Sequence, residues 1–151
     1  MKKITGLGLV LLSSDGRIFT IKELRDKPEY HKYSGMISIP LETVKVSDEG
    51  LYGTMRRLVS EETGIPLKKI KLEKIFSEKF NPIVGRPDID VFYGYGIFLG
   101  KTEKEYPYKP RDKDIEFFGW INPNVLRSCY RRIEVDLILS HFYKQCKQKL
   151  F

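Results

Sequence analysis

The chain has 151 residues, of which 41% are hydrophobic and 31% are charged. This length fits one domain with a single core, and the composition excludes an intrinsically disordered chain. No apolar run approaches the roughly 20 residues that span a bilayer. The formal net charge of +7 favours polyanionic partners such as nucleotides or nucleic acid. The alternative is that lysine is mainly a solubilising residue here, because basic and acidic residues are mixed along the chain.

The chain is predicted to begin with two strands, over residues 5–13 and 17–24. Asp15-Gly16 stands between them, and an Asp-Gly pair between two β-rich segments indicates a hairpin. Met1-Lys2-Lys3 followed by apolar residues imitates the start of a signal peptide, but no small-residue cleavage site follows. We therefore interpret the first apolar run as a strand of the domain.

The rest of the chain alternates strands, loops and helices, without a repeat or an obvious linker. This order predicts a single mixed α/β domain over residues 1–151. In chain order we predict a polar loop at 25–35, a strand at 36–39, a connection at 40–48, a helix at 49–63, a strand at 70–80, a loop at 81–88, strands at 90–99 and 115–121 with a charged loop between them, a helical turn at 122–123 and an amphipathic helix at 136–150.

The helix predicted at 49–63 has clear stop and start signals. Gly64 suits a left-handed C-cap. Ser47 or Asp48 can serve as the N-cap, and acidic residues in the first turn complement the helix dipole.

Two adjacent glutamates, Glu61 and Glu62, lie near the end of this helix. Residues three and four positions apart are neighbours on a helix, so Leu58 is predicted to point where the two glutamates point. The bland alternative is an ordinary amphipathic helix, in which the two glutamates are solvated and an apolar stripe packs on the core. That stripe comprises Leu51, Met55, Leu58 and Val59.

The spacing in this segment resembles the signature of the Nudix hydrolases, Gly-x5-Glu-x7-Arg-Glu-U-x-Glu-Glu-x-Gly-U, where U is aliphatic. Two positions depart from that box: Leu58 replaces the first paired glutamate, and Thr43 replaces the opening glycine. The box is therefore degenerate. The residues that match are Glu49, Arg57, Val59, Glu61, Glu62, Gly64 and Ile65.

The resemblance covers most of the chain and implies the family's fold, an α/β/α sandwich around a mixed β-sheet. Ile39-Pro40 resembles the start of the family's Leu-Pro-Gly-Gly segment, and Glu116 through Trp120 resembles a late strand ending in tryptophan. In place of the two glycines stand Glu42 and neighbouring side chains, in a connection one residue longer than the family's.

The resemblance also implies an activity, which is cleavage of the phosphoanhydride of a nucleoside diphosphate derivative with Mg²⁺ or Mn²⁺. By this resemblance Glu61 and Glu62 are the catalytic metal ligands, since Mg²⁺ can sit on one or two carboxylates together with substrate phosphate. Arg57 would orient a box glutamate through a charged hydrogen bond. Glu49 would be a structural cap or an accessory acid.

Three further acids are accessory candidates. Glu42 is a candidate replacement for the carboxylate lost at position 58, and its alternative is an exposed loop side chain. Asp88 and Asp90 are candidates for the additional acid that the family often places outside the box, although aspartate also commonly marks turns. The aromatic residues Tyr106, Tyr108, Phe118 and Trp120 can stack a base or belong to the core, and Phe118 and Trp120 are predicted to share one strand face.

A second functional hypothesis follows from the two departures from the box. Loss of both the glycine and the paired glutamate, with the basic surplus, is compatible with a catalytically inactive module that binds a nucleotide, RNA or a protein partner. A homodimer is a candidate assembly. Cys129 and Cys146 stand in no metal or redox spacing and predict reduced thiols in a cytoplasmic protein.

Overall fold

The computed structural model describes residues 2–30, 32–74 and 91–146. Short 3₁₀ turns occur at Pro28–Tyr30, Val46–Asp48 and Leu67–Lys69, and a π-helical turn at Val59–Thr63. The helices and strands are β1 (Lys2–Ser13), β2 (Ile18–Glu23), β3 (Ile37–Ser38), β4 (Leu41–Thr43), α1 (Leu51–Leu58), β5 (Lys71–Lys74), β6 (Val91–Thr102), β7 (Ile115–Ile121), α2 (Pro123–Leu126) and α3 (Ile133–Cys146).

The seven strands form one mixed sheet with the order β3-β2-β1-β6-β5, in which β4 also pairs with β1 and β7 with β2. The central pair, β1 and β6, is parallel along its whole length, from Lys2 opposite Val91 to Ser13 opposite Thr102. The other strand pairs of the described residues are antiparallel. The predicted mixed α/β fold is confirmed.

A separate apolar core lies on each face of the sheet. Along β1, Leu7, Leu9 and Leu11 belong to the core that contains α1, whereas Val10 belongs to the core that contains α3. This alternation is the period of two that a strand buried on both faces requires. Two helical layers therefore cover the sheet, and the predicted α/β/α sandwich is confirmed.

The hairpin predicted at Asp15-Gly16 is present, with Gly16 at φ 76°. The Ser13 N–H donates to the carbonyl of Arg17 at 2.9 Å, which closes the two strands. Strand β7 also has its predicted bounds. Strand β4 was expected to be part of a loop, because three residues that include Glu42 and Thr43 carry too little periodicity to predict a strand.

The N-cap prediction for α1 is wrong. The helix begins at Leu51 with Gly50 as its N-cap, rather than at residue 49 with Ser47 or Asp48 as the cap. Residues 46–48 form a 3₁₀ turn, and the Asp48 carboxylate accepts hydrogen bonds from the Lys45 N–H, the Thr54 hydroxyl and the Arg57 guanidinium. The Asp48 side chain therefore bonds within its own turn and to two side chains of α1, and it does not cap the N-terminus of α1.

Other boundaries also differ from those predicted. Helix α3 begins three residues earlier than expected, at Ile133, and its predicted last residues lie outside the described residues. Strand β6 continues to Thr102, three residues beyond its predicted end. Of the strand predicted at 70–80, residues 70–74 can be compared, and Lys71–Lys74 form β5. The loop predicted at 81–88 lies outside the described residues. No helix in the described part of the chain combines the length and apolarity needed to cross a membrane.

Gly53 is required by a close approach between α1 and the 46–48 turn. A Cβ at this position would lie 1.5 Å from the backbone oxygen of Asp48. Alanine normally stabilises a helix by about 1 kcal/mol relative to glycine. We expect Gly53→Ala to destabilise the protein instead, because the turn that holds Asp48 must move.

Thermal unfolding of Gly53→Ala, with Arg56→Ala at an exposed position of the same helix as the control, measures this effect. A melting temperature of Gly53→Ala at or above that of the natural chain would contradict the close approach.

Candidate active site

The end of α1 is shaped by the π-helical turn at Val59–Thr63. The Gly64 N–H donates to the Val59 carbonyl at 3.0 Å, and Gly64 has φ 67°. The predicted left-handed C-cap is therefore confirmed. A Cβ on Gly64 would lie 2.7 Å from the Lys109 carbonyl oxygen, so the loop after β6 packs directly on this glycine. Single π turns occur frequently at functional sites, and this one carries Glu61 and Glu62.

Arg57 is the centre of a charged network on this side of the sheet. Its guanidinium makes two 2.8 Å hydrogen bonds to the Asp48 carboxylate and a 2.6 Å hydrogen bond to the Thr43 carbonyl. Its Nη1 lies 2.9 Å from Glu42 Oε1 but 3.8 Å from Glu61 Oε2. Hydrogen bonding to Arg57 holds the pKa of Asp48 well below its usual range. The strong partners of Arg57 are thus Asp48 and Glu42, while the box glutamate Glu61 is a distant one.

Thr43 stands where the family signature has its opening glycine, and its backbone does not need the positive φ that glycine allows. It lies in β4, pairs with Gly6 of β1, and offers Arg57 a backbone carbonyl that any residue has. Among the described non-glycine residues, only Glu49 has a positive φ, at 58°. Thr43 thus has an extended strand backbone, and the left-handed residue of this connection is Glu49.

Glu62 is buried, with 5% of its surface exposed, and points from the π turn towards β4. Its Oε2 accepts a hydrogen bond from the Leu41 N–H at 3.1 Å. Burial raises the pKa of Glu62 well above its ordinary value, and the nearby Glu42 carboxylate raises it further. Lys32 and Arg132 act in the opposite direction, because a positive charge favours the ionised glutamate.

Glu61 points to the outer side of the same turn, and its side chain is 47% exposed. Partial burial and the negative charge of Glu42 raise its pKa, whereas Arg57 lowers it. Glu42 thus interacts with both box glutamates and with Arg57. Its side chain is only 19% exposed and belongs to a strand, so the alternative of an exposed loop side chain is wrong. The fold therefore brings the Glu42 carboxylate close enough to act on the charges of both Glu61 and Glu62.

A second group of charges lies beneath Glu62. Arg132, just before α3, is 5% exposed; its Nη1 lies 3.6 Å from Glu23 Oε1 and its Nε lies 3.4 Å from Glu134 Oε2. Lys32 belongs to the same group, and burial followed by the positive charge of Arg132 lowers its pKa. Buried charges are normally paired, and here two cations face three buried carboxylates, Glu23, Glu62 and Glu134. Sequence reasoning missed this group because its members come from distant segments with no shared motif.

The other predicted residues are less closely tied to these carboxylates. Glu49 is exposed and ends the 46–48 turn, while its neighbour Asp48 contacts Arg57. Asp88 and Asp90 lie outside the described residues. The side chain of Cys129 is a free thiol.

The prediction that Phe118 and Trp120 share one strand face is wrong. In the pairing of β2 with β7, Ile21 lies opposite Phe117 and Thr20 opposite Gly119, so Phe118 is the extra residue of a β-bulge. As a result Phe118 is 43% exposed, whereas the rings of Phe117 and Trp120 both pack on Phe19. The Trp120 indole N–H donates to the Tyr106 carbonyl at 3.0 Å.

Carboxylate oxygens are the type of ligand that a hard divalent cation takes, but these carboxylates do not form a preformed protein cage. Oxygen ligands suit Mg²⁺ and Mn²⁺, and Mg²⁺ commonly uses one or two carboxylates while it keeps several waters. Leu58 contributes no ligand, because it is fully buried in the core beneath α1. In the described ranges, no group of three or more histidine, cysteine, aspartate or glutamate side chains is placed to hold a metal ion.

Several solved structures that superpose on this chain are Nudix proteins. The chain superposes with a TM-score of 0.67 on the NUDIX domain of Shewanella oneidensis NrtR, a complex with ADP ribose, at 15% identity over 100% of this chain and 90% of that one. A NUDIX hydrolase from Nitrosomonas europaea gives 0.64 at 16% identity, over 95% and 90%. The MutT protein from Methanosarcina mazei gives 0.62 at 14% identity, over 97% and 95%.

No family model and no curated protein sequence matches the chain. At the identities of the solved structures, the likeness establishes the fold rather than the reaction. The chain has the Nudix fold, as its degenerate box predicts.

Leu58 now has a definite structural role, because it is fully buried together with Met55 and Val59 as the alternative of an apolar stripe predicted. We expect Leu58→Glu to destabilise the fold by more than about 3 kcal/mol, since an unpaired carboxylate would be buried. Chemical denaturation measures this loss, with Arg56→Glu on the exposed side of α1 as the control. If Leu58→Glu lost no more stability than Arg56→Glu, the burial of the residue 58 side chain would be contradicted.

Burial of Glu62 also predicts a pH dependence of stability. A glutamate with a raised folded-state pKa holds its proton longer in the folded than in the unfolded chain. Stability therefore falls as pH rises from the unfolded value of about 4.3 through the folded value. Asp48 has the opposite shift, and its contribution is lost only as pH falls below the unfolded aspartate value of about 3.9.

We expect the melting temperature of the natural chain to decrease from pH 5 to pH 8. In Glu62→Gln this decrease should be smaller, because glutamine still accepts the hydrogen bond from the Leu41 N–H but does not titrate. Glu116→Gln, at an exposed position of β7, should keep the natural slope. Equal slopes for the natural chain and Glu62→Gln would contradict the burial of an ionisable group at this position.

Proposed function

We propose that this chain is a divergent Nudix-type hydrolase that cleaves the phosphoanhydride of a nucleoside diphosphate derivative with Mg²⁺ or Mn²⁺. The observation that carries the proposal is the interaction of Glu42, which lies 2.9 Å from the Arg57 guanidinium, with the charges of both Glu61 and Glu62. The Glu42 charge raises the pKa of both Glu61 and Glu62, so ionising these two glutamates is unfavourable without a cation. Such a group is also the oxygen ligand chemistry that a hard divalent cation takes.

A bound divalent cation would neutralise charge on the pyrophosphate and promote the attack of water. The residues of the chain prepare the place for it. Glu62 is fixed by the Leu41 N–H, and Glu61 is presented to solvent from the adjacent turn. We assign Glu42 the part of the carboxylate that Leu58 lacks, because Arg57 holds it within range of both box glutamates.

Arg57 acts as a positioning residue in this proposal. Its bidentate contact with Asp48 fixes the guanidinium to the 46–48 turn, and the guanidinium in turn orients Glu42. Lys32 and Arg132 favour the ionised form of Glu62, which is the form that can bind a cation. Glu49 is retained only as an accessory acid outside this group.

The substrate class rests on the fold and the net charge. The NrtR domain with this fold was solved with ADP ribose, a nucleoside diphosphate derivative. The formal charge of +7 favours such an anionic ligand electrostatically. We place the reaction in the cytoplasm, where the predicted reduced cysteines fit, with RNA and a homodimer as further candidates for partner and assembly.

The competing function is a catalytically inactive module that binds a nucleotide, RNA or a protein. The burial of Leu58 supports it, because the missing carboxylate cannot be supplied from that position. The two functions differ in their response to metal: an enzyme couples ligand binding and turnover to Mg²⁺ or Mn²⁺, whereas the module binds its ligand indifferently to metal.

Release of phosphate-containing products from a panel of nucleoside diphosphate derivatives with Mn²⁺ tests the proposal. We expect Glu62→Gln and Glu42→Gln each to reduce turnover at least about a hundredfold, since each removes a charged ligand. Glu116→Gln is the matched control and should retain full turnover. Turnover that Glu62→Gln leaves unchanged, or binding of the same compounds without turnover or metal dependence, would overturn the proposal in favour of the module.

A further inference from the structure

A cavity lies away from the carboxylates of the candidate active site, at the ends of β1 and β6. Its volume is about 710 Å³, which is within the range of small-molecule sites. We call it the lysine cavity, because four lysines line it together with one acid, Glu103. None of its lining residues belongs to the carboxylate group described above. The lysines are Lys68, Lys69, Lys71 and Lys101.

The fold concentrates these lysines by joining two short elements to a long strand. Lys68 and Lys69 lie in the 3₁₀ turn that follows the box helix, Lys71 begins β5, and Lys101 lies near the end of β6. Four positive charges and one negative charge give the lining a net charge of +3. A concave surface with charge of one sign concentrates oppositely charged ligands.

The sheet itself contains an unfavourable contact at this cavity. Lys71 and Lys101 lie directly opposite each other in the antiparallel pairing of β5 with β6, so their side chains leave the same face. Like charges directly opposite each other destabilise a sheet. Glu73 offsets this in part, but its Oε1 is 3.8 Å from the Lys101 Nζ. An anion between the two lysines would remove the repulsion.

Tyr106 gives the cavity an aromatic side. Its backbone is fixed by the hydrogen bond from the Trp120 indole, and its ring centroid lies 5.4 Å from that of Tyr108. A fixed tyrosine beside lysines suits a ligand with both a flat ring and phosphate groups. We propose that the lysine cavity binds a nucleotide phosphate, at a site separate from the carboxylates and independent of metal. This proposal does not rest on the proposed hydrolase activity.

Titration of the full-length, isotopically labelled chain with ADP in the presence of EDTA tests the site, because chelation removes metal-dependent binding at the carboxylates. We expect saturable shifts of the backbone amides of Lys69, Ile70, Lys101 and Thr102. Shifts confined to the segment around Glu61 and Glu62, or no saturable shifts, would overturn the proposal. Neither result would decide the hydrolase activity, which is measured separately with Mn²⁺.

Variants separate the charged and aromatic parts of the site. Lys69→Gln combined with Lys101→Gln should weaken ADP binding about tenfold or more, because two phosphate-facing charges are lost. Lys113→Gln, which removes an exposed charge that does not line the cavity, should change it less than about twofold. Tyr106→Leu should weaken binding of ADP about fivefold or more and leave that of inorganic pyrophosphate unchanged, since only ADP has a base to stack.

Lys71→Glu provides a readout that a misfolded variant cannot mimic. It should raise the melting temperature of the ligand-free protein, because it replaces the repulsion with Lys101 by attraction, and it should at the same time abolish ADP binding. A variant that is more stable and still binds ADP normally would overturn the proposal. So would equal loss of binding in the double lysine variant and in the Lys113→Gln control.

Discussion

The bidentate contact between Arg57 and Asp48 is the interaction on which the arrangement of the candidate active site depends. It ties the helix that carries the box to the turn that precedes it, and the same guanidinium reaches Glu42 and the Thr43 carbonyl in β4. Because one planar cation with five donors satisfies all of these acceptors, the position of α1 relative to the sheet edge is fixed by geometry as well as by apolar packing.

The apolar core beneath α1 accounts for the leucine at position 58. The side chain at position 58 packs fully in the core, so the sheet-facing side of α1 gains apolar contact where the family signature has a carboxylate. The carboxylate group is assembled instead from β4 and the π turn. Glu42 and Glu62 come from elements about 20 residues apart in sequence, and they meet because Leu41 hydrogen-bonds Glu62 while Arg57 holds Glu42.

Charge is distributed unevenly between the interior and the surface. Arg132 is buried and Lys32 is half-buried; both lie close to Glu23 and Glu62, where the low dielectric makes each charge depend on its neighbours. The lysines of the lysine cavity come from the end of the 64–71 connection and from β6, and they outnumber the acids that line it. Part of the net positive charge of the chain therefore lies at the lysine cavity, whereas Lys32 and Arg132 lie close to carboxylates.

The sequence by itself determined what short-range chemistry controls. The Asp15-Gly16 hairpin, the left-handed Gly64, the strand at 115–121 and the register of the box follow from turn residues and from periodicities of 2 and 3.6, and the fold class followed from the resemblance that this register carries. The tertiary structure decided which side chains meet. It placed Asp48 against Arg57 instead of at the helix N-terminus, and it brought Glu42 close to the box glutamates. It also turned Phe118 outwards through a bulge and placed Lys32 close to Arg132. These outcomes depend on how the three layers pack. A contact between distant segments produces no periodic pattern in either segment, so the sequence alone does not predict it.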